Sequence, residues 1–232
     1  MDTSAVARVA AAALVLFGIV VLPASAAERL PPGALRGQAS RLDQYPTLSL
    51  ATTSQRAAAT RLLAELRARG RVWSSPASAR KLGYHVGRAR RTARNQRTVM
   101  WLHAESRAYS NDRLYLDPRR PESLIYADVA GRRLVLIGVM FAMPRGKLGP
   151  TPGGPITRWH AHLVCIRGSS RGTAPRADGS CPRGAKLKLG SEMLHVWFTR
   201  DLRSAFAIHA PVPELCAARL VRGRHCGHAG HG

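Results

Sequence analysis

Apolar positions along the chain change their period near its middle. From Thr53 onward, Ala58, Leu62, Leu63 and Leu66 fall at helical spacing, and Arg56, Arg61, Arg67 and Arg69 fan onto the opposite side. Thr52 followed by Gln55 fits a capping box, and Gly70 supplies a stop, so the pattern predicts a helix over 53–69. Ser75-Pro76 reads as an N-cap with proline at the first helical position. Gly83 sits where a C-cap belongs, giving a short helix over 76–82. Beyond Thr98 the apolar runs shorten and fill with β-branched and aromatic residues, which suits strands. Strands are expected at 98–103 and 123–127, then, after a turn at 128–131, at 132–143. The segment 134–141 is apolar on both faces and so belongs inside a sheet. Gly146 to Pro155 is a loop. Residues 156–165 read as another strand, 167–190 as a polar excursion, and 192–198 as the last strand. The fold class is therefore α+β: N-terminal helices followed by a mainly antiparallel β-sheet of about four to six strands, in one domain over 51–216.

The chain on either side of that domain reads differently. Residues 1–26 have the form of a signal peptide: Arg8, an unbroken apolar or glycine run from Val9 to Leu22, then Ala24-Ser25-Ala26 before the cut, with a cut after Ala27 as the alternative. The run is shorter than the ~20 residues of a permanent anchor. The chain is accordingly expected to be secreted or associated with the cell envelope, with no transmembrane segment once the signal is removed. Residues 27–50, with Pro31, Pro32, Gly33, Gly37 and Pro46, read as an extended arm. Residues 217–232 form a basic tail rich in histidine and glycine, expected to lack structure beyond Cys226.

Export changes the meaning of the charge. Lys and Arg number 36 against 13 Asp and Glu, a net +23. Only Lys81, Lys147, Lys186 and Lys188 are lysines. Such a charge in a cytoplasmic chain would point to nucleic acid. In an exported chain it points to a solvated arginine surface, or to anionic cell-wall or membrane-surface material as partner. The densest run, Arg88 to Arg97, has no interleaved aromatic residues on which bases could stack.

The four cysteines after the signal, Cys165, Cys181, Cys216 and Cys226, are an even count in an exported chain and imply two disulfides. Three connectivities are possible. Sequence proximity favours Cys165–Cys181 and Cys216–Cys226. The Cys-x-x-Cys pair of a thioredoxin-type site is missing, as are a Gly-x-Ser-x-Gly nucleophile elbow and a Walker-type phosphate loop. No reaction is identified.

What chemistry there is lies in the imidazoles. In a strand, His160 and His162 would share one side, leaving Trp159, Ala161, Leu163 and Cys165 for the core. Two imidazoles at this spacing open a transition-metal site, zinc or copper. Cupin-type metal sites use the same pair but add a carboxylate a few residues later, and Leu163 to Arg167 contains none. The best third donor is His195, on the last strand beside Met193 and Trp197. His103, His209 and Glu122 are further candidates. The alternatives are structural: histidines hydrogen-bonded within the core, Glu122 accepting backbone N–H groups, and Trp159 and Trp197 packing the interior.

Three blocks carry a resemblance: Asp117-Pro118-Arg119-Arg120-Pro121-Glu122-Ser123-Leu124-Ile125-Tyr126, Trp159-His160-Ala161-His162 and Leu194-His195-Val196-Trp197. In this order they resemble a group of small exported proteins of high-GC bacteria, over about residues 100 to 215. The resemblance implies export. It brings no catalytic assignment.

Overall fold

The structure, a computed structural model, describes residues 43–87, 100–129, 133–168, 172–176, 178–221 and Cys226. The signal segment, most of the arm, the Arg88–Arg97 run and the histidines of the tail lie outside the described residues. Among those described, no helix is long and apolar enough to cross a membrane.

Two helices, α1 (Thr53–Trp73) and α2 (Pro76–Lys81), precede the strands β1 (Met100–Glu105), β2 (Ser123–Val129), β3 (Arg133–Ala142), β4 (Leu163–Ile166), β5 (Lys186–Leu189) and β6 (Met193–Trp197). Two short helices follow, α3 (Leu202–Ala205) and α4 (Val212–Ala217). The α+β class holds. Both halves of the Thr52–Gln55 capping box are made, and the Ser75 hydroxyl accepts the N–H of Ser78 at the start of α2. Helix α1 runs past Gly70 to Trp73. A Cβ at Gly70 would stand 3.0 Å from the Phe198 ring, so this glycine serves close packing rather than termination. Arg56 also departs from expectation: its guanidinium turns back to donate to the carbonyls of Leu48 and Ala51.

The main sheet has the order β1-β2-β3-β6, antiparallel throughout. A second, two-stranded sheet pairs β4 with β5. One face of the main sheet (Ala104, Leu124, Tyr126, Leu136, Phe141, Leu194 and Val196) packs on Leu62, Leu63, Leu66 and Trp73 of α1. The Tyr126 hydroxyl donates to the Trp73 carbonyl at 2.6 Å. The other face carries Ile125, Ala127, Ile137 and Trp197, covered by Ala207, Leu215 and Val221 from the chain after β6. A bulge in β3, opposite the Ile125/Tyr126 junction, inserts Ile137 and turns it to this second face. Bulges bend a strand and increase its twist.

Each outer edge of the sheet ends in one bridge. His85 pairs with Glu105 on β1, and His160 with Met193 on β6. The 156–165 segment is therefore not one continuous strand. The chain turns over residues 152–155 and bends at 156–157, His160 makes its single bridge, and regular pairing starts only at Leu163. Trp159 causes the turn: its ring fits against Gly149, where even a Cβ would clash, and its indole N–H donates to the Pro150 carbonyl at 2.8 Å.

The disulfides join Cys165 to Cys181 and Cys216 to Cys226, the pairing that sequence proximity favours.

Gly138 lies between Ile125 and Trp197 in the sheet register. A Cβ there would come within 2.6 Å of the Val196 carbonyl oxygen, which is backbone and cannot rotate away. Gly138→Ala is expected to force β3 and β6 apart and cost about 1–3 kcal/mol, read as a lower urea midpoint. An unchanged midpoint would mean that these strands do not pair this closely.

Candidate functional site

Alternation along β6 sends Leu194 and Val196 toward α1 and His195 and Trp197 to the second face. His195 is 7% exposed. Its Nδ1 stands 2.7 Å from the Ile208 carbonyl oxygen. A carbonyl only accepts, so Nδ1 carries the hydrogen. Burial holds the ring's pKa well below the usual imidazole value, with the neighbouring His160 as a second cause, so the ring is neutral. A neutral ring protonated at Nδ1 has its lone pair at Nε2. This is how metal-binding histidines are commonly oriented, with one nitrogen on a carbonyl and the other free for the ion.

His160 reaches the same place from the free edge of β6. Its N–H donates to the Met193 carbonyl at 2.9 Å, and Met193 N–H donates back at 2.7 Å. This pairing brings the His160 ring to 5.1 Å from that of His195, centre to centre. His160 is 1% exposed, and neither ring nitrogen has a hydrogen-bond partner. Its pKa is pushed down to about 3, first by burial and then by His162. The Arg158 backbone pulls it slightly up without reaching hydrogen-bond geometry at the ring. A buried polar group left unsatisfied costs about 1–3 kcal/mol, so the ring is held at a disadvantage in the protein alone.

His162 follows in the half-buried segment before β4, where its carbonyl accepts from Gly190 N–H. Its ring lies 5.2 Å from that of His160, perpendicular to it, and 5.9 Å from that of His209. Burial and the nearby His209 both lower its pKa.

His103 approaches from the opposite side, its ring 6.1 Å from that of His195. Three strand steps would separate β1 from β6 by about 14 Å in a flat sheet. The bulge curls the sheet, and Gly138 adds no side chain between the two rings. His103 is open to solvent, yet the protein packed around it lowers its pKa, while Glu105 opposes the shift. It lines a cavity of about 550 Å³ with Gly83, His85, Glu105, Arg107 and Ala108.

The structure thus places five imidazoles in a row, His103, His195, His160, His162 and His209, each 5.1–6.1 Å from the next. Two imidazoles that share one ion through bonds of about 2 Å have ring centres about 5 Å apart. The His195–His160 and His160–His162 pairs stand at that spacing. Among the described residues no three histidine, cysteine, aspartate or glutamate side chains already surround one point. Ring rotation would have to complete a three-ligand set.

Glu122 does not join the row. Strand alternation puts it on the side of Leu124 and Tyr126, away from His195. Its carboxylate accepts the Ala142 N–H at 3.2 Å, and burial raises its pKa to about 7. Glu192 likewise accepts a main-chain N–H, that of Gly149. His85, on the cavity wall, was not among the expected donors. Its place between buried Tyr84 and Val86 is the alternation that could have marked it.

The protonation of these groups gives a signed expectation. His160 and His195 are neutral in the folded chain, whereas in the unfolded chain they take up protons below about pH 6.5. Their contribution to stability is complete above that pH and is lost as pH falls toward 3. Glu122 acts oppositely, favouring the fold toward the acid side of the interval from 4.5 to about 7. One carboxyl offsets the histidines only in part, so metal-free protein should lose stability below about pH 6.5. His160→Leu keeps the volume and removes two orphaned nitrogens. Metal-free His160→Leu is expected to be about 1–3 kcal/mol more stable at pH 7, with a shallower acid loss in denaturant titrations. A less stable variant would show that His160 is an ordinary hydrogen-bonding core residue.

No protein family, curated protein or solved structure matches this chain, so what these imidazoles do has to be argued from their own chemistry.

Proposed function

We propose that this chain is an exported protein that holds one transition-metal ion, zinc or copper, through Nε2 of His195 and a nitrogen of His160, with His162 as third ligand. The observation that carries this is the pair at the centre of the row. His195 has its Nδ1 hydrogen fixed and its Nε2 lone pair left over, and His160 is buried with both nitrogens unpartnered. A structural pair would have used these groups for hydrogen bonds. An ion uses lone pairs and brings the orphaned nitrogens into a bond. Three imidazole ligands and an open position suit zinc or copper.

Burial also sets the pH range. A free imidazole loses metal as it protonates near pH 6.5. His160 and His195 stay neutral well below that, so the site should keep its ion at pH 5 wherever the fold survives. Elemental analysis of protein lacking the tail beyond Cys226, after incubation with zinc or copper and desalting, is expected to give close to one equivalent. The His160→Leu/His195→Leu double variant should retain almost none. Equal amounts in the two proteins, or far less than one equivalent in the unaltered one, would remove the proposal.

The charge supports a second reading. With 36 basic side chains and 13 acidic ones, most arginines have no carboxylate to pair with. In that case the chain is a non-enzymatic module binding anionic envelope material through its arginine surface. Retention on a dextran sulfate column should then fall steeply with salt, because exposed charges are screened over about 10 Å at 0.1 M. Retention that is absent or indifferent to salt argues against it.

A further inference from the structure

A buried metal pair needs a way in, and the row of imidazoles has two exposed ends. We propose that His209, together with His162, forms a surface docking site that captures the ion; the ion then leaves His209 and moves inward to His160 and His195, with His162 staying bound as the third ligand. This rests on the metal-binding reading above and adds a second, transient site to it.

Exposure falls from the outer two histidines to the inner pair at this end of the row. His209 is exposed and His162 half-buried, while His160 is 1% and His195 7% exposed. The steps are 5.9, 5.2 and 5.1 Å between ring centres. At such spacing, with modest ring rotation, an ion can bond to the next ring before it leaves the last. The bond to His209 breaks as the bond to His160 forms, and His195 then adds to complete the three-ligand set. His160 suits the middle position: with neither nitrogen committed, it can offer a lone pair toward His162 or toward His195 without giving up a hydrogen bond.

The main chain that carries the outer ring is also held in place. Gln44 donates through its side-chain amide to the His209 carbonyl at 2.7 Å and accepts the His209 N–H at 3.2 Å. Its own carbonyl accepts Ile208 N–H at 3.0 Å. The adjacent Ile208 carbonyl is the acceptor that fixes His195. Two consecutive residues therefore set the protonation of the innermost ligand and display the outermost one.

The opposite end is mixed in charge: His103 opens onto a cavity lined by both Glu105 and Arg107, and the His103–His195 step, 6.1 Å between ring centres, is the longest in the row.

Loading kinetics test this on the full exported chain. Cobalt(II) is added to metal-free protein, and its ligand-field absorption is followed by stopped flow, with His209→Ala and His103→Ala in parallel. All bonds between Gln44 and residue 209 involve the main chain, so His209→Ala keeps them. His209→Ala is expected to slow loading about tenfold and to slow release to a chelator by the same factor, leaving equilibrium affinity and stoichiometry unchanged. His103→Ala should alter neither rate. Loading at the normal rate in His209→Ala overturns the proposal, as does slow loading in His103→Ala alone. A matching loss of equilibrium affinity in His209→Ala would make His209 a ligand of the final site and also overturn it. Failure of the unaltered protein to take up cobalt, zinc or copper would instead remove the metal-binding reading itself.

Discussion

Two side chains of β6 hold the second face of the sheet together. His195 bonds to the Ile208 carbonyl and Trp197 to the Ala207 carbonyl, at 2.7 and 2.8 Å. These bonds fasten the segment after β6 across a face that would otherwise expose Ile125, Ile137 and Trp197 to water. Both acceptors are main-chain groups of a stretch without regular pairing, and buried carbonyls there need donors. The same bonds that close the core therefore decide which nitrogen of His195 is left over. Stability and chemistry share one residue here, and neither can be altered alone.

The cost of that arrangement is concentrated in His160. Its neighbour's needs are met by Ile208, while its own are not. Natural interiors contain few such groups. The main-chain bridge between His160 and Met193 fixes the backbone in place, so the ring cannot escape to solvent without giving up two hydrogen bonds.

What the sequence made legible was local. The capping box, the Ser75-Pro76 helix start and the β2–β3 hairpin involve residues a few positions apart, and each formed close to where its pattern placed it. The neighbouring cysteines behaved likewise. Long-range packing was not legible. Gly70 looks like a helix stop, yet it faces the ring of Phe198, distant in sequence. Trp159 breaks the expected strand because Gly149 receives its ring. Lys186 to Leu189 reads as polar loop and becomes β5 because β4 offers it an edge. Helix α3 left a signal that could have been used, Asp201 three residues before Ser204, whose N–H it caps. Of the candidate ligands, the histidines could be proposed from spacing, but Glu122 could be set aside only once the sheet showed which side it faces. The Ile208 carbonyl belongs to every residue type alike and has no signature at all.

The two sheet edges carry a different consequence. An unpaired strand edge is an invitation to other chains, which can add to it strand by strand and build fibres. Here each edge is met by a bridging residue, His85 on β1 and His160 on β6. A newcomer finds each border already occupied at one point. For a chain this rich in short apolar strands, that arrangement works against self-assembly into aggregates, and one of the residues that provide it, His160, belongs to the imidazole row.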